Sequence, residues 1–215
     1  MNAENAKLGI RKIYRAQILS IFVSIFSIAG AIAMIGFGKV ISSGGKSINN
    51  TDVVSLIVLL ASMVLGLIAF ILNLRGIMIS SKDEPKFKEA LASVILGLVA
   101  SILAAVFSNS NPSLSSLFES ASNIAELFTA YYIIRGCINL ARQNNDEKIA
   151  KSGKRAIIMN IIALVLAAVL KGAPTIIPSA GKESVKAILS LVSLVLTIIA
   201  YVVYLKVLRR TSDIL

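Results

Sequence analysis

The chain has no histidine, no tryptophan, a single cysteine and, across 215 residues, only 15% charged residues. Each scarcity excludes something. Without histidine, the commonest general base and a common metal ligand are both missing. No Ser-His or Cys-His arrangement, no HExxH and no pair of intramembrane aspartates occurs. The familiar chemistries of intramembrane proteolysis are therefore disfavoured, and the chain is read as a non-enzyme with no cofactor and no metal centre. With Cys137 alone, no intrachain disulfide can form. A soluble domain carries about a quarter charged residues. Here 56% of the residues are hydrophobic, more than one soluble core of this length can hide, so the excess apolar surface calls for lipid.

Charge of one sign dominates what little charge there is: the net value is +11. In a soluble protein that would suggest nucleic acid. Here the basic residues flank long apolar runs and form no aromatic-basic surface, so no nucleic-acid role is read. They read instead as topological signals and as attraction to anionic lipid head groups.

A helical span needs about 20 apolar residues. Six stretches are assigned: 16–37, 53–74, 90–107, 114–134, 156–172 and 187–205. The fifth is short, and Lys171 is expected to snorkel outward at its end. The first follows four basic residues and is too long for the apolar centre of a cleavable signal, so it is expected to stay in the membrane.

Whether the polar fourth stretch crosses is decided by charge. If it does, with the amino terminus cytoplasmic, 17 basic residues lie inside and 5 (Lys39, Lys46, Lys171, Lys182 and Lys186) lie outside. If it does not, the sides balance at 11 and 11. The positive-inside bias selects six spans with both termini cytoplasmic. Tyr14, Tyr131, Tyr132, Tyr201 and Tyr204 fall toward the cytoplasmic ends, as an interfacial belt would. The outer connections SSGGKSINNTD, SNSNPSLSS and GAPTIIPSAGKES are rich in turn formers. The inner ones, SSKDEPKFKE and RQNNDEKIAKSGKR, are rich in charge. None is long enough for a soluble domain, so residues 1–215 read as one membrane domain of three tandem hairpins. Arg75-Gly76 and Arg135-Gly136 recur 60 residues apart at corresponding span ends, which fits a parallel repeat and not an inverted one, with chance similarity of apolar helices the competing explanation. The layout, with Tyr132-Ile133-Ile134-Arg135-Gly136 as an aromatic-x-Ile-x-Gly ending, resembles the small six-helix bacterial membrane proteins of the HdeD type. No function is carried over from that resemblance.

The chemistry-bearing residues concentrate in the fourth span. Ser116, Glu119, Asn123, Glu126 and Ala130 are spaced 3, 4, 3 and 4, which puts them on one helix face. A carboxylate near the bilayer centre costs several kcal/mol, so the stripe is expected to face other helices or a wet cavity. Glu126 lies nine residues outward of Arg135, about 13 Å deep. Desolvation there penalises its charged form, which suits reversible binding of a proton or cation. The competing reading makes neutral Glu126 interhelical glue, donating for example to Asn160. Glu119 reads as an interface residue. If the segment lay on the surface, the stripe would be the wet face of an amphipathic helix.

Ser93, Gly97, Ser101 and Ala105 form a small-residue stripe on the third span. Ser20, Ser24, Ser27 and Ala31 form one on the first, and Ser190, Ser193, Thr197 and Ala200 one on the last. Such stripes let helices approach closely within a bundle or between copies. GGKS at 44–47 fails as a phosphate loop because Val40 stands where glycine is required. Asn49-Asn50-Thr51 is a formal glycosylation sequence read as chance. Cys137 is read as a buried thiol, with acylation the alternative.

The sequence thus predicts an all-α, six-span protein of a bacterial cytoplasmic membrane. Its expected partners are the lipid bilayer and a membrane-protein partner or further copies of itself. Its role is that of an accessory or assembly component acting through helix contacts, or of a small proton- or cation-coupled transporter using Glu126.

Overall fold

A computed structural model of the chain describes residues 3–42, 50–176 and 182–215, and among these all regular structure is α-helical. Six helices follow one another: α1 (Glu4–Ser42), α2 (Asn50–Ser80), α3 (Lys86–Phe107), α4 (Pro112–Gln143), α5 (Glu147–Ile176) and α6 (Lys182–Ile214). Each of the six apolar stretches falls inside one helix. The GGKS segment and Asn49 lie outside the described residues, as do the side chains of Ala31, Lys39, Lys171, Lys182, Lys186, Ser190 and Ser193.

Among the described residues, two helical segments are long and apolar enough to cross a membrane: Ile57–Ser80, with mean hydropathy 2.7, and Lys86–Phe107, with mean hydropathy 2.6. Only 11% and 28% of their most apolar stretches are buried. The core helix of a soluble protein is mostly buried. These two turn Met63, Leu67, Leu96 and Val106 outward, which points to a membrane location. α4, described throughout, does not meet the same standard, because Ser115, Ser116, Glu119, Ser120, Ser122, Asn123 and Glu126 fill its first half.

The chain forms two compact units, Lys12–Gly76 and a larger one of Met1–Arg11 with Ile77–Leu215. In the first, a Cβ on Gly66 would stand 3.6 Å from Val23 Cγ1, so α1 and α2 pack at ordinary van der Waals distance there. In the second, the fully buried large side chains include Phe87, Ile133, Ile134, Cys137, Ile138, Leu140, Val207, Leu208 and Thr211. Most of these lie beyond the apolar stretches, at the end expected to be cytoplasmic. The helices overrun the stretches there: α4 continues to Gln143, α5 begins at Glu147 and α6 runs to Ile214. Nine added residues extend a helix by about 13 Å.

The two charged connections are therefore partly or mostly helix. In RQNNDEKIAKSGKR only 144–146 interrupt it. Asn145 takes the left-handed conformation at φ 56°. The Asp146 N–H donates to the Ala141 carbonyl at 2.8 Å and the Asn145 N–H to the Arg142 carbonyl at 3.1 Å, the bond pair of a Schellman stop. Asp146 then accepts the Ile149 N–H at 3.0 Å and starts α5 at once. At the other end of the hairpin, Asn111 accepts the Leu114 N–H at 3.1 Å and Pro112 occupies the first turn of α4.

Candidate functional site

α3 and α4 form the tightest hairpin of the larger unit, and its seam is polar. Ser122 Oγ donates to the Gly97 carbonyl at 3.2 Å and lies 2.7 Å from Ser101 Oγ. Ser115 Oγ donates to the Ala104 carbonyl at 2.9 Å. A Cβ on Gly97 would come within 3.2 Å of Ala125 Cβ, tighter than ordinary contact, so Gly97 lets the backbones approach. Phe107 and Phe118 stack at 5.8 Å beside the turn.

The expected stripe of Ser93, Gly97, Ser101 and Ala105 runs from the centre of this seam to its edge, where Ser101 still reaches Ser122. Ser93 and Gly97 are buried, but Ser101 and Ala105 are exposed, and Ala100 and Ala104 take the inner positions. A repeat of four residues drifts about 40° per step on a helix of 3.6 residues per turn. Alternating steps of 3 and 4 stay on the partner.

A cleft of about 400 Å³ opens beside this seam. Its walls bring together Ser101, Ala105, Glu119, Ser122, Asn123 and Glu126. Three of the four expected polar site residues thus share one site. Glu119, Asn123 and Glu126 are nevertheless exposed on its rim, because Ser115, Ser122, Ala125 and Thr129 occupy the face that meets α3. Among the described residues of its own unit, nothing covers Glu126.

Asn160 is not part of the cleft. It lines an apolar groove of about 340 Å³ between α4 and α5, with Ile124, Leu127, Phe128, Tyr131, Ile134, Ile157 and Ile161. Its Nδ2 donates to the Ala156 carbonyl of its own helix at 2.8 Å. Glu126 and Asn160 thus line different pockets, since Ile124 and Phe128 lie two residues either side of Glu126, on the opposite face of α4.

The packed end holds a polar group that sequence reasoning missed. Glu84, 4% exposed, accepts Asn139 Nδ2 at 3.0 Å and the Lys86 N–H at 3.3 Å. Cys137 lies fully buried nearby. Burial pushes its thiol up to about 12; the Glu84 carboxylate adds to the rise, while a hydrogen bond with Thr211 opposes it. Such a thiol is a packing residue and not a reactive one, and burial leaves no room for acylation. Tyr204, expected in an interfacial belt, is also buried here, at 5%. Tyr131 and Tyr132 remain half-buried at a T-shaped 5.3 Å, with Arg135 5.7 Å over Tyr131 and Lys86 5.9 Å over Tyr132. Adjacent Asp83 and Glu84 beside Pro85, in the connection SSKDEPKFKE, were the available sequence signal for the missed group.

Among the described residues, no three His, Cys, Asp or Glu side chains stand together as a metal site. No protein-family model, curated protein or solved structure matches the chain.

Proposed function

We propose that the protein is a six-span component of a bacterial cytoplasmic membrane, with both termini cytoplasmic, that acts without catalysis by holding another membrane protein or further copies of itself through helix contacts. The observation that carries this reading is the exposure of Glu119, Asn123 and Glu126 along one rim of α4. If α4 crosses, Glu126 on that rim lies at a depth where lipid solvates carboxylates poorly. A second protein surface supplying hydrogen-bond partners relieves the cost. Supporting features are the outward apolar faces of α2 and α3 and the basic bias of one side.

The test has two arms. Single cysteines at Ser110 and Ser152, in a Cys137→Ala background, are expected to react with an impermeant thiol reagent from opposite sides of the membrane. Reaction of both from the same side overturns the six-span topology. Affinity capture in mild detergent under native expression is expected to yield a stoichiometric membrane partner or an oligomer, and a lone monomer counts against the assembly role.

A second reading is favoured by the cleft itself, which gathers Ser101, Asn123 and Glu126 around about 400 Å³. A proton or cation bound there would make the protein a small coupled transporter. Glu126→Gln then abolishes ion flux in proteoliposomes while the helices remain folded. Full flux in that variant removes Glu126 as the coupling group.

A further inference from the structure

The apolar groove between α4 and α5 changes character along its length. On α4, Ile124, Phe128, Tyr131 and Arg135 follow at steps of 4, 3 and 4, so they share one face. On α5, Ile161, Ile157 and Lys154 follow at steps of 4 and 3. Both walls therefore pass from hydrocarbon to cation toward the same end. The placement of Arg135 is also seen directly, since its guanidinium lies 5.7 Å over the ring of Tyr131, a groove residue. Arg135 and Lys154 are both exposed and head no ion pair found among the described residues. The one amide in the groove, Asn160, spends its Nδ2 on the Ala156 carbonyl. What is left is a trough for hydrocarbon with two positive charges at its mouth.

We propose that this groove holds an acyl chain of an anionic phospholipid from the inner leaflet, with the lipid phosphate bound between Arg135 and Lys154. The inference rests on the membrane reading above. The guanidinium offers forked donors to two phosphate oxygens, and the ammonium adds a point charge. A partner helix in the same groove would fill the apolar part but leave both cations unmatched. A zwitterionic lipid would bring its own positive group against them.

The natural absence of tryptophan makes the test direct, because one introduced indole reports alone. Phe128→Trp places it in the groove. Ile95→Trp, at a position of α3 that is 51% exposed and outside the groove, serves as the reference. The full chain is reconstituted in phosphatidylcholine vesicles carrying either brominated phosphatidylglycerol or brominated phosphatidylcholine, and quenching is titrated. The expected result is an apparent preference of about fivefold for the anionic lipid at Phe128→Trp and none at Ile95→Trp. Arg135→Gln with Lys154→Gln is expected to abolish the preference, and Arg135→Lys with Lys154→Arg to keep it, which separates charge from misfolding. Equal quenching of Phe128→Trp by both lipids overturns the proposal, as does a preference that survives the glutamine pair. If Ile95→Trp is quenched while Phe128→Trp is quenched by neither lipid, protein and not lipid fills the groove. If neither indole is quenched, the membrane reading itself falls.

Discussion

The carboxylate of Asp83 caps α1 from the far side of α2 in sequence: its Oδ2 accepts the Ala6 N–H at 2.7 Å. Its Oδ1 accepts Asn5 Nδ2 at 3.1 Å. The first turn of a helix has N–H groups with no partner inside the helix, and the helix dipole favours negative charge beside them. The neighbouring Glu84 holds α4 through Asn139 at 3.0 Å. Two adjacent acids in one short connection thus secure two different helices.

Asp83→Ala is expected to lower stability by about 1–2 kcal/mol, the cost of a lost cap. Unfolding midpoints in mild detergent measure it, and protease cleavage before Arg11 should accelerate. An unchanged cleavage rate would show that the cap does not hold the first turns of α1.

Gly136 and Gly153 are close-approach positions. A Cβ on Gly136 would stand 2.6 Å from the Phe87 ring, and one on Gly153 2.5 Å from Ile138 Cγ1. Both neighbours are buried, so neither can swing away freely. Gly136→Ala and Gly153→Ala are each expected to cost about 1–3 kcal/mol by overpacking. Phe87→Leu should recover part of the Gly136→Ala loss when the two are combined, and additive losses in thermal unfolding would deny the contact.

The hydroxyls of Ser101 and Ser122 lie 2.7 Å apart across the α3–α4 seam. Cysteines at both positions, with Cys137 replaced by alanine, are expected to form a disulfide on mild oxidation. Adding Gly97→Leu should suppress it by pushing α3 off α4. Ser122→Ala alone is expected to cost about 1 kcal/mol, the scale of a net interhelical hydrogen bond.

Cys137 gives a pH dependence whose sign is set by burial. Its thiol is pushed from 9.0 up to about 12. Below about pH 9 the thiol is neutral in the folded and the unfolded chain alike. Between the two values the unfolded chain releases the proton while the folded one keeps it, so stability falls as pH rises through that window. Maleimide labelling of the folded protein should stay slow to pH 9 and become fast only on unfolding. Rapid labelling under native conditions would contradict the burial.

Periodicity and apolar run length settled much of the architecture before any coordinates. All six stretches from 16–37 to 187–205 lie within single helices, as runs of that length favour. Glu119, Asn123 and Glu126 line one cleft because residues 3 and 4 apart on a helix share a face. Composition alone also ruled out an intrachain disulfide, since Cys137 is the single cysteine.

What that face meets was a tertiary matter. The rotation of α4 about its own axis puts Ser122 and Ala125 against α3 and leaves Glu126 on the rim, while that of α5 turns Asn160 toward a different groove. Likewise the cap from Asp83 to α1 and the hydrogen bond from Asn139 to Glu84 join residues 77 and 55 positions apart. Helical register is local and can be counted along the chain. The choice of which side of a helix finds a neighbour depends on how all the small and large side chains of several helices fit at once, and no single stretch of sequence contains that sum.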